Sequence, residues 1–419
     1  MTTPRNALSS GASVDCSDGQ KVPMVNFKTY LQPDPTYYFG NRIVGELGIL
    51  LNQLSSVDRV YLVTDPFLNG KYGDELSNMF ARHGIRHRIL EVDANEDTKN
   101  LGTLAGLCQE LVENGISKCS IVIGFGGGCL TNIVGLAAGM IYRGVRYVEM
   151  PTTMMAVTDS SLSNKQAVNG ALGKNHFGMF YAPIFLFGDT RYMYSEPLSG
   201  KRSAIVEGIK NGFISNPELL DYFEKKLAED MNAYTERDFN DLCFKIIQSK
   251  LEILRRDPSE KYYAMTLEYG HTFGHAIEFL THGRIPHGFA VAKGMCIAAE
   301  LSQYLGYISG DVVDLHYELL GRKLGLDLSL PRNIGVSDIM RTMTTDNKKL
   351  ACGVKYVLLG KVGECLNPDG DYQVSVDTET IEQVLHDYEA KTDKGLGKIP
   401  TFPPKEAVLS GKRLCSLDA

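Results

Sequence analysis

Between Val60 and Asp189 the sequence alternates between two patterns, and few folds accommodate that alternation. Short runs at Val60–Thr64, Arg88–Val92, Ser120–Gly124, Tyr147–Pro151 and Phe185–Asp189 read as strands, most of them buried. The stretches 69–83 and 101–114 between them read as helices. Strands separated by helices cannot close as tight hairpins. Each connection must cross over, which predicts a mostly parallel sheet covered on both faces.

One of these strands runs into Gly124-Phe-Gly126-Gly127-Gly128-Cys-Leu-Thr-Asn132, and an Ala/Gly-rich helix is predicted from Ile133 to Tyr142. Glycines at a strand-to-helix turn let backbone N–H groups approach a pyrophosphate, whose charge the helix N-terminus favours. The spacing is not GxGxxG, so an ordinary dinucleotide fingerprint does not apply. Further on come Pro151-Thr152-Thr153, Asp159, Lys165-Gln-Ala-Val-Asn169 and Gly173-Lys174-Asn175. A solvated hairpin is the plain reading of the last two. Their mix of polar and apolar groups favours a functional loop on a rigid scaffold.

Beyond a Ser/Pro/Gly cluster at 194–199 the pattern becomes helical. Glu207 and Lys210, three apart, share a face of a helix over 202–214. Lys250 lies on another, over 238–256. Four of the nine histidines fall between His271 and His287. A helix after Gly270 places His271 and His275 on one face, and a turn over 281–286 brings His287 to the start of the next helix. Three such imidazoles can converge on a divalent metal but need a fourth group from elsewhere. Glu207 with His271 and His287 forms the other set, one carboxylate and two imidazoles, suited to Zn²⁺ or Co²⁺ with a position left for substrate oxygens. Lysines 165, 174, 210, 250 and 348 would suit a phosphorylated sugar beside them.

Composition narrows the function classes. A net charge of −7 without a basic run argues against nucleic acid. Nine scattered cysteines without a CxxC pair point to reduced thiols in a cytoplasmic protein. No apolar stretch reaches membrane-spanning length. At 419 residues two domains are expected. The expected division is a flexible leader over 1–22, an NAD-binding α/β domain over 23–196, a helical metal- and substrate-binding domain over 197–391, and a mobile tail over 392–419.

Taken together, Gly126-Gly-Gly128, Pro151-Thr-Thr153, Asp159, Lys165–Asn169, Gly173–Asn175, Glu207-Gly-Ile-Lys210, Gly270-His-Thr-Phe-Gly-His275 and Pro286-His-Gly288 resemble the sugar phosphate cyclases, the superfamily of 3-dehydroquinate synthase. The resemblance spans about residues 35 to 390. It implies an N-terminal Rossmann-like α/β domain and an all-α C-terminal metal-binding domain, with the active site between them. It also implies NAD and a divalent metal as cofactors, and the expected assembly is a homodimer. By that resemblance Glu207, His271 and His287 are the metal ligands. Asp159, Lys165, Lys174, Asn175, Lys210 and Lys250 match substrate-site positions, with His275 nearby. Asp65, Glu96, Lys99, Gly127, Gly128, Thr152 and Thr153 match nucleotide-binding positions, where Asn132, Asp159, Lys165 and Lys174 are also counted. Lys348 matches a late phosphate-anchoring lysine, with Lys355 as its rival.

Departures from the family pattern choose among its branches. Dehydroquinate synthases carry Arg and Asn where this chain has Ala264 and Glu268. That Arg serves a substrate carboxylate, so its absence implies an uncharged sugar. Leu267-Glu268-Tyr-Gly-His271, Ser160–Asn169, Asn132 and Asp346-Asn-Lys348 resemble the 2-deoxy-scyllo-inosose synthases, which act on glucose 6-phosphate in aminoglycoside biosynthesis. The branch implies oxidation of a hydroxyl by NAD⁺, elimination of phosphate, return of the hydride and aldol closure of the ring, with Lys165, Lys210 and Glu268 contacting the sugar. Valiolone synthases acting on sedoheptulose 7-phosphate are the alternative. A metal-dependent polyol dehydrogenase and a non-catalytic binding protein are more distant ones.

Overall fold

The computed structural model describes residues 12–15, 21–24, 35–171, 173–227, 233–346 and 354–393. The chain divides into two compact units at Asp34/Pro35. In the first, β1 (Ala12–Asp15) and β2 (Lys21–Met24) pair antiparallel. The rest of the expected leader, and the expected tail beyond Asp393, lie outside the described residues.

The second unit opens with β3 (Thr36–Gly40), α1 (Val44–Gln53), β4 (Val60–Thr64), α2 (Pro66–Arg82), β5 (His87–Glu91), α3 (Leu101–Glu113), β6 (Ile121–Gly126), α4 (Gly128–Met140) and β7 (Arg146–Pro151). A short α5 (Met154–Thr158) follows, then the hairpin of β8 (Lys165–Gly170) and β9 (Gly173–Phe180), then β10 (Phe185–Asp189). Six strands form one sheet in the order β3-β10-β7-β6-β4-β5, with every pairing parallel. Strands β4, β6 and β10 are buried at every residue, as a sheet covered on both faces requires. From β4 the chain steps outward to β5 and then jumps back to β6 on the other side. The carboxyl ends of β4 and β6 therefore flank the switch point where such sheets hold ligands.

Helix starts moved most relative to the sequence reading. Helix α2 begins at Pro66, three residues before the expected start, because Asp65 caps it by accepting from the Leu68 N–H at 2.8 Å and proline suits the first helical position. Helix α4 begins at Gly128 and takes in the Cys-Leu-Thr-Asn segment that reads as a turn. Its N-cap, Gly127, offers no side chain and leaves the first N–H groups open.

After β10 the chain becomes helical. It continues through α6 (Leu198–Ser215), α7 (Pro217–Lys226), α8 (Glu236–Arg256), α9 (His271–Leu280), α10 (His287–Tyr304), α11 (Gly310–His316) and α12 (Val336–Asp346). Short strands β11 (Lys355–Tyr356), β12 (Leu359–Lys361), β13 (Glu364–Cys365) and β14 (Val374–Ser375) pair β11 with β14 and β12 with β13, and α13 (Thr378–Lys391) follows. Helix α6 is buried continuously from Ser203 to Ile214 and forms the centre of this half. None of the described helices is long and apolar enough to cross a membrane.

Glycines set how closely the site-bearing helices approach. A Cβ on Gly294 of α10 would overlap the Gly270 carbonyl at the start of α9. A Cβ on Gly288 of α10 would overlap the Ser203 carbonyl of α6. Gly270 itself has φ +79°, the left-handed region that glycine adopts without strain. Backbone thus meets backbone on both sides of α10, and no other residue type would let α6, α9 and α10 converge this tightly.

Candidate metal and nucleotide site

The three helices bring Glu207, His271 and His287 to one point. Glu207 is buried on α6, and its Oε2 pairs with Lys210 Nζ at 2.5 Å, one turn along the same helix. Its Oε1 is buried without a hydrogen-bond partner, 3.7 Å from His271 Nε2 and 3.7 Å from His287 Nε2. Two ligands on a tetrahedral zinc, each about 2.1 Å from it, lie roughly 3.4 Å apart. A partnerless buried carboxylate oxygen between two imidazole nitrogens at nearly that spacing fits a divalent cation. His275, a turn along α9, also brings a ring nitrogen within 4.8 Å of those of His271 and His287, so a fourth donor is at hand.

The far side of each ring settles which nitrogen is free to coordinate. His271 Nδ1 lies 3.2 Å from the Tyr269 carbonyl, which can only accept, so Nδ1 carries the proton. His287 Nδ1 lies 2.9 Å from Glu278 Oε2. Burial opposes charge on Glu278, but His287 and Lys174 outweigh it and hold its pKa at about 2. The carboxylate therefore accepts, and both imidazoles turn Nε2 toward Glu207. Burial followed by the Lys210 charge holds His271 well below the usual imidazole range. Burial acts the same way on His287, yet Glu278 and Glu207 raise it. Burial opposes ionisation of Glu207 too, but Lys210 and His287 keep its pKa below the usual carboxylate value.

Each of the described lysines expected on the substrate side faces a carboxylate. Lys250 on α8 is buried and pairs with Asp159, which ends α5. Burial opposes that ammonium, but Asp159 wins and raises its pKa. Lys165 opens β8 and meets Glu260 at 2.5 Å. Lys174 on β9 meets Glu278 Oε1 at 2.7 Å and Glu96 at 3.4 Å. The hairpin is thus neither a plain solvated loop nor a detached one. Its outer strand β9 is exposed, yet its lysines reach across to residues of the helical half. Lys348 lies outside the described residues, and Lys355 Nζ pairs with Asp371 at 2.5 Å. Glu268 is exposed at the end of the turn before α9, and Ala264, four residues earlier, is buried.

On the sheet side the predicted residues gather where β4 and β6 end. Gly127 and Gly128 open α4, and a Cβ there would come within 3.2 Å of Thr153 Cγ2 and 3.1 Å of Ser160 Oγ respectively. Thr152 is buried with its N–H on the Gly126 carbonyl at 2.9 Å, and Thr153 caps α5. Lys99 Nζ donates to Asn132 at 3.0 Å and to Asn175 at 2.8 Å, joining the glycine turn to the hairpin. Burial pulls its pKa down in spite of Glu96. Glu96 accepts from Cys129 Sγ at 3.1 Å and from the Asn169 amide. Asp65 faces the same end from β4, with one oxygen used in capping α2. The open N–H groups of α4, next to a buried lysine and without an acidic side chain in the first turn, fit a nucleotide phosphate.

This pairing of a phosphate-type turn and a His/Glu donor set has clear relatives. The 3-dehydroquinate synthase N-terminal domain matches residues 89–202, and the C-terminal domain matches 204–349. A 2-deoxy-scyllo-inosose synthase of Streptoalloteichus tenebrarius is 34% identical over 339 residues, covering 80% of this chain and 87% of the relative. The chain belongs to the 3-dehydroquinate synthase family. A 3-dehydroquinate synthase of Corynebacterium diphtheriae is 33% identical over 319 residues, covering 76% of this chain and 87% of its own. A crystal structure of 2-deoxy-scyllo-inosose synthase with carbaglucose-6-phosphate, NAD⁺ and Co²⁺ matches with a TM-score of 0.77 at 29% identity, covering 84% of this chain and 96% of that one. A 2-epi-5-epi-valiolone synthase of Streptomyces hygroscopicus, with NAD⁺ and Zn²⁺, shares the fold with a TM-score of 0.76 at 21% identity, over 87% of this chain and 99% of that one.

Membership fits the dehydroquinate synthase-like architecture seen here, a parallel α/β sheet followed by helices, and an enzyme of the sugar phosphate cyclase type. Sequence reasoning about the family missed two acidic residues. Glu260 and Glu278 hold Lys165 and Lys174, but neither belongs to a motif quoted for the family. Glu278 sits seven residues after His271, two helical turns along the same face, and that spacing was the available signal.

Proposed function

We propose that the chain is an NAD- and divalent-metal-dependent sugar phosphate cyclase that converts glucose 6-phosphate to 2-deoxy-scyllo-inosose and inorganic phosphate. The observation that carries this reading is the partnerless Glu207 Oε1 between two imidazole nitrogens, with Glu278, Lys174 and Glu96 linking His287 to the start of α4. On this reading Glu207, His271 and His287 hold the metal, with His275 beside it. Asp65, Glu96, Lys99, Gly127, Gly128, Asn132, Thr152 and Thr153 line the nucleotide, and the two halves divide between residues 196 and 197. When bound, NAD supplies a hydride acceptor that is regenerated within the cycle, and Zn²⁺ or Co²⁺ polarises substrate oxygens.

The chain's own residues bind, orient and hold protons. Lys250 stays charged while buried, because Asp159 outweighs its desolvation. It can donate to a sugar hydroxyl or phosphate oxygen once Asp159 yields. Lys165, Lys174 and Lys210 each face a carboxylate, and an arriving phosphate replaces a negative partner with another. Buried Ala264 offers no cation for a substrate carboxylate, and exposed Glu268 faces the sugar instead. This favours a neutral polyol chain over a keto acid.

The reaction is redox-neutral, since glucose 6-phosphate differs from the product by the elements of phosphoric acid alone. Enzyme with NAD⁺ and Co²⁺ is expected to release phosphate from glucose 6-phosphate without accumulating NADH. Phosphate release from sedoheptulose 7-phosphate only would move the chain to the valiolone branch. Steady growth of NADH absorbance would make it a polyol dehydrogenase.

A further inference from the structure

Glu278 holds neither metal, nucleotide nor substrate on the reading above, yet it touches both halves of the site. It lies on α9 and is 9% exposed. One oxygen, Oε2, accepts from His287 Nδ1 at 2.9 Å, and the other, Oε1, accepts from Lys174 Nζ at 2.7 Å. Its two partners belong to separate elements, the first residue of α10 and the exposed strand β9. Lys174 also reaches Glu96 at 3.4 Å, and Glu96 holds Asn169 at the other strand of the hairpin.

We infer that Glu278 is a positioning residue that fixes the proton of His287 on Nδ1, leaving Nε2 for a cation, and at the same time anchors the β8–β9 hairpin through Lys174. This rests on the reading of His287 as a metal donor. A carboxylate can only accept, so it dictates the tautomer of the imidazole beside it. Such outer partners of metal-binding histidines commonly change metal affinity when removed. The second oxygen gives Glu278 its other function. The hairpin has one strand packed inward and one exposed, and its lysines supply its ties to the helical half. Metal site and hairpin therefore share one carboxylate.

The test compares Glu278→Gln, Lys174→Met and His287→Ala with the wild type in two measurements. One is Co²⁺ binding by the metal-free protein, followed by titration. The other is hydrogen exchange of the hairpin amides in the absence of metal. In Glu278→Gln an amide N–H₂ facing Nδ1 favours the wrong tautomer, and Co²⁺ affinity is expected to fall about 10- to 100-fold. Hairpin exchange is expected to rise in both Glu278→Gln and Lys174→Met, and the affinity loss to be smaller in Lys174→Met. If His287→Ala loses Co²⁺ while Glu278→Gln binds it within twofold of wild type, the tautomer role is overturned and the metal site stands. If His287→Ala itself binds normally, the metal-site reading fails. Unchanged hairpin exchange in both Glu278→Gln and Lys174→Met removes the anchoring role. Should Glu278→Gln not fold, Glu278→Ala is read in the same way, since it removes the acceptor from both partners.

Discussion

At the scale of single residues, the site is a set of charges that are affordable only in pairs. Lys250 is the clearest case, an ammonium in the interior with Asp159 as its facing anion. Removing one member of such a pair strands the other, which is worse than losing both. Asp159→Asn is expected to destabilise the protein by about 3 kcal/mol, read as a lower urea midpoint. Lys250→Met in the same background should restore part of the loss. The candidate residues could be picked out one by one, because Glu207, His271, His287 and most of the lysines sit in quotable motifs. Which carboxylate each lysine faces was not. Lys165 and Glu260 are 95 positions apart, and Lys174 and Glu278 are 104 apart. Such pairings arise only from the fold.

At the scale of elements, the sequence reading succeeded where hydrophobic pattern decides and slipped where capping decides. Helix α3 spans Leu101–Glu113, within one residue of the expected 101–114, because its pattern is periodic and Asn100 caps it. Helices α2 and α4 start earlier than expected, since Asp-Pro and Gly-Gly can both be read as turns. The glycine contacts of α10 were invisible, as nothing local marks Gly294 as a point of close approach. Gly294→Ala would force α9 and α10 apart at the Gly270 carbonyl. It is expected to cost about 1–3 kcal/mol in thermal or urea unfolding. Co²⁺ binding should weaken with it, because His271 and His287 ride on the two separated helices.

At the scale of the whole molecule, stability should carry a pH signature from a histidine that takes no part in the proposed chemistry. His316 is fully buried at the end of α11 and stacks on Phe213 with ring centroids 3.6 Å apart. It contacts the Val312 carbonyl at 2.7 Å and the Tyr269 hydroxyl at 3.0 Å. Burial lowers its pKa from 6.5 to about 4. Between those values the unfolded chain binds a proton that the folded one refuses, so stability rises with pH across that window and is complete above it. About 3 kcal/mol should be lost from pH 7 to pH 4 through this group, and the loss should shrink in His316→Phe. The parallel sheet and its helical companion were readable from the alternation of patterns. The burial of His316 was not, since a lone histidine carries no local sign of depth.

The two glycine contacts of α10 also say what kind of change the molecule can absorb. Gly288 meets α6 and Gly294 meets α9. At about 100° per residue, the six steps between them set these notches on different sides of the helix. Like the wards of a key, they must both be in phase for His287 to arrive beside Glu207 and His271. A substitution elsewhere on α10 leaves that phase alone. Adding or deleting one residue between the notches rotates one against the other and disengages a neighbour. The lineage of such a chain is therefore held less to the letters between Gly288 and Gly294 than to their number.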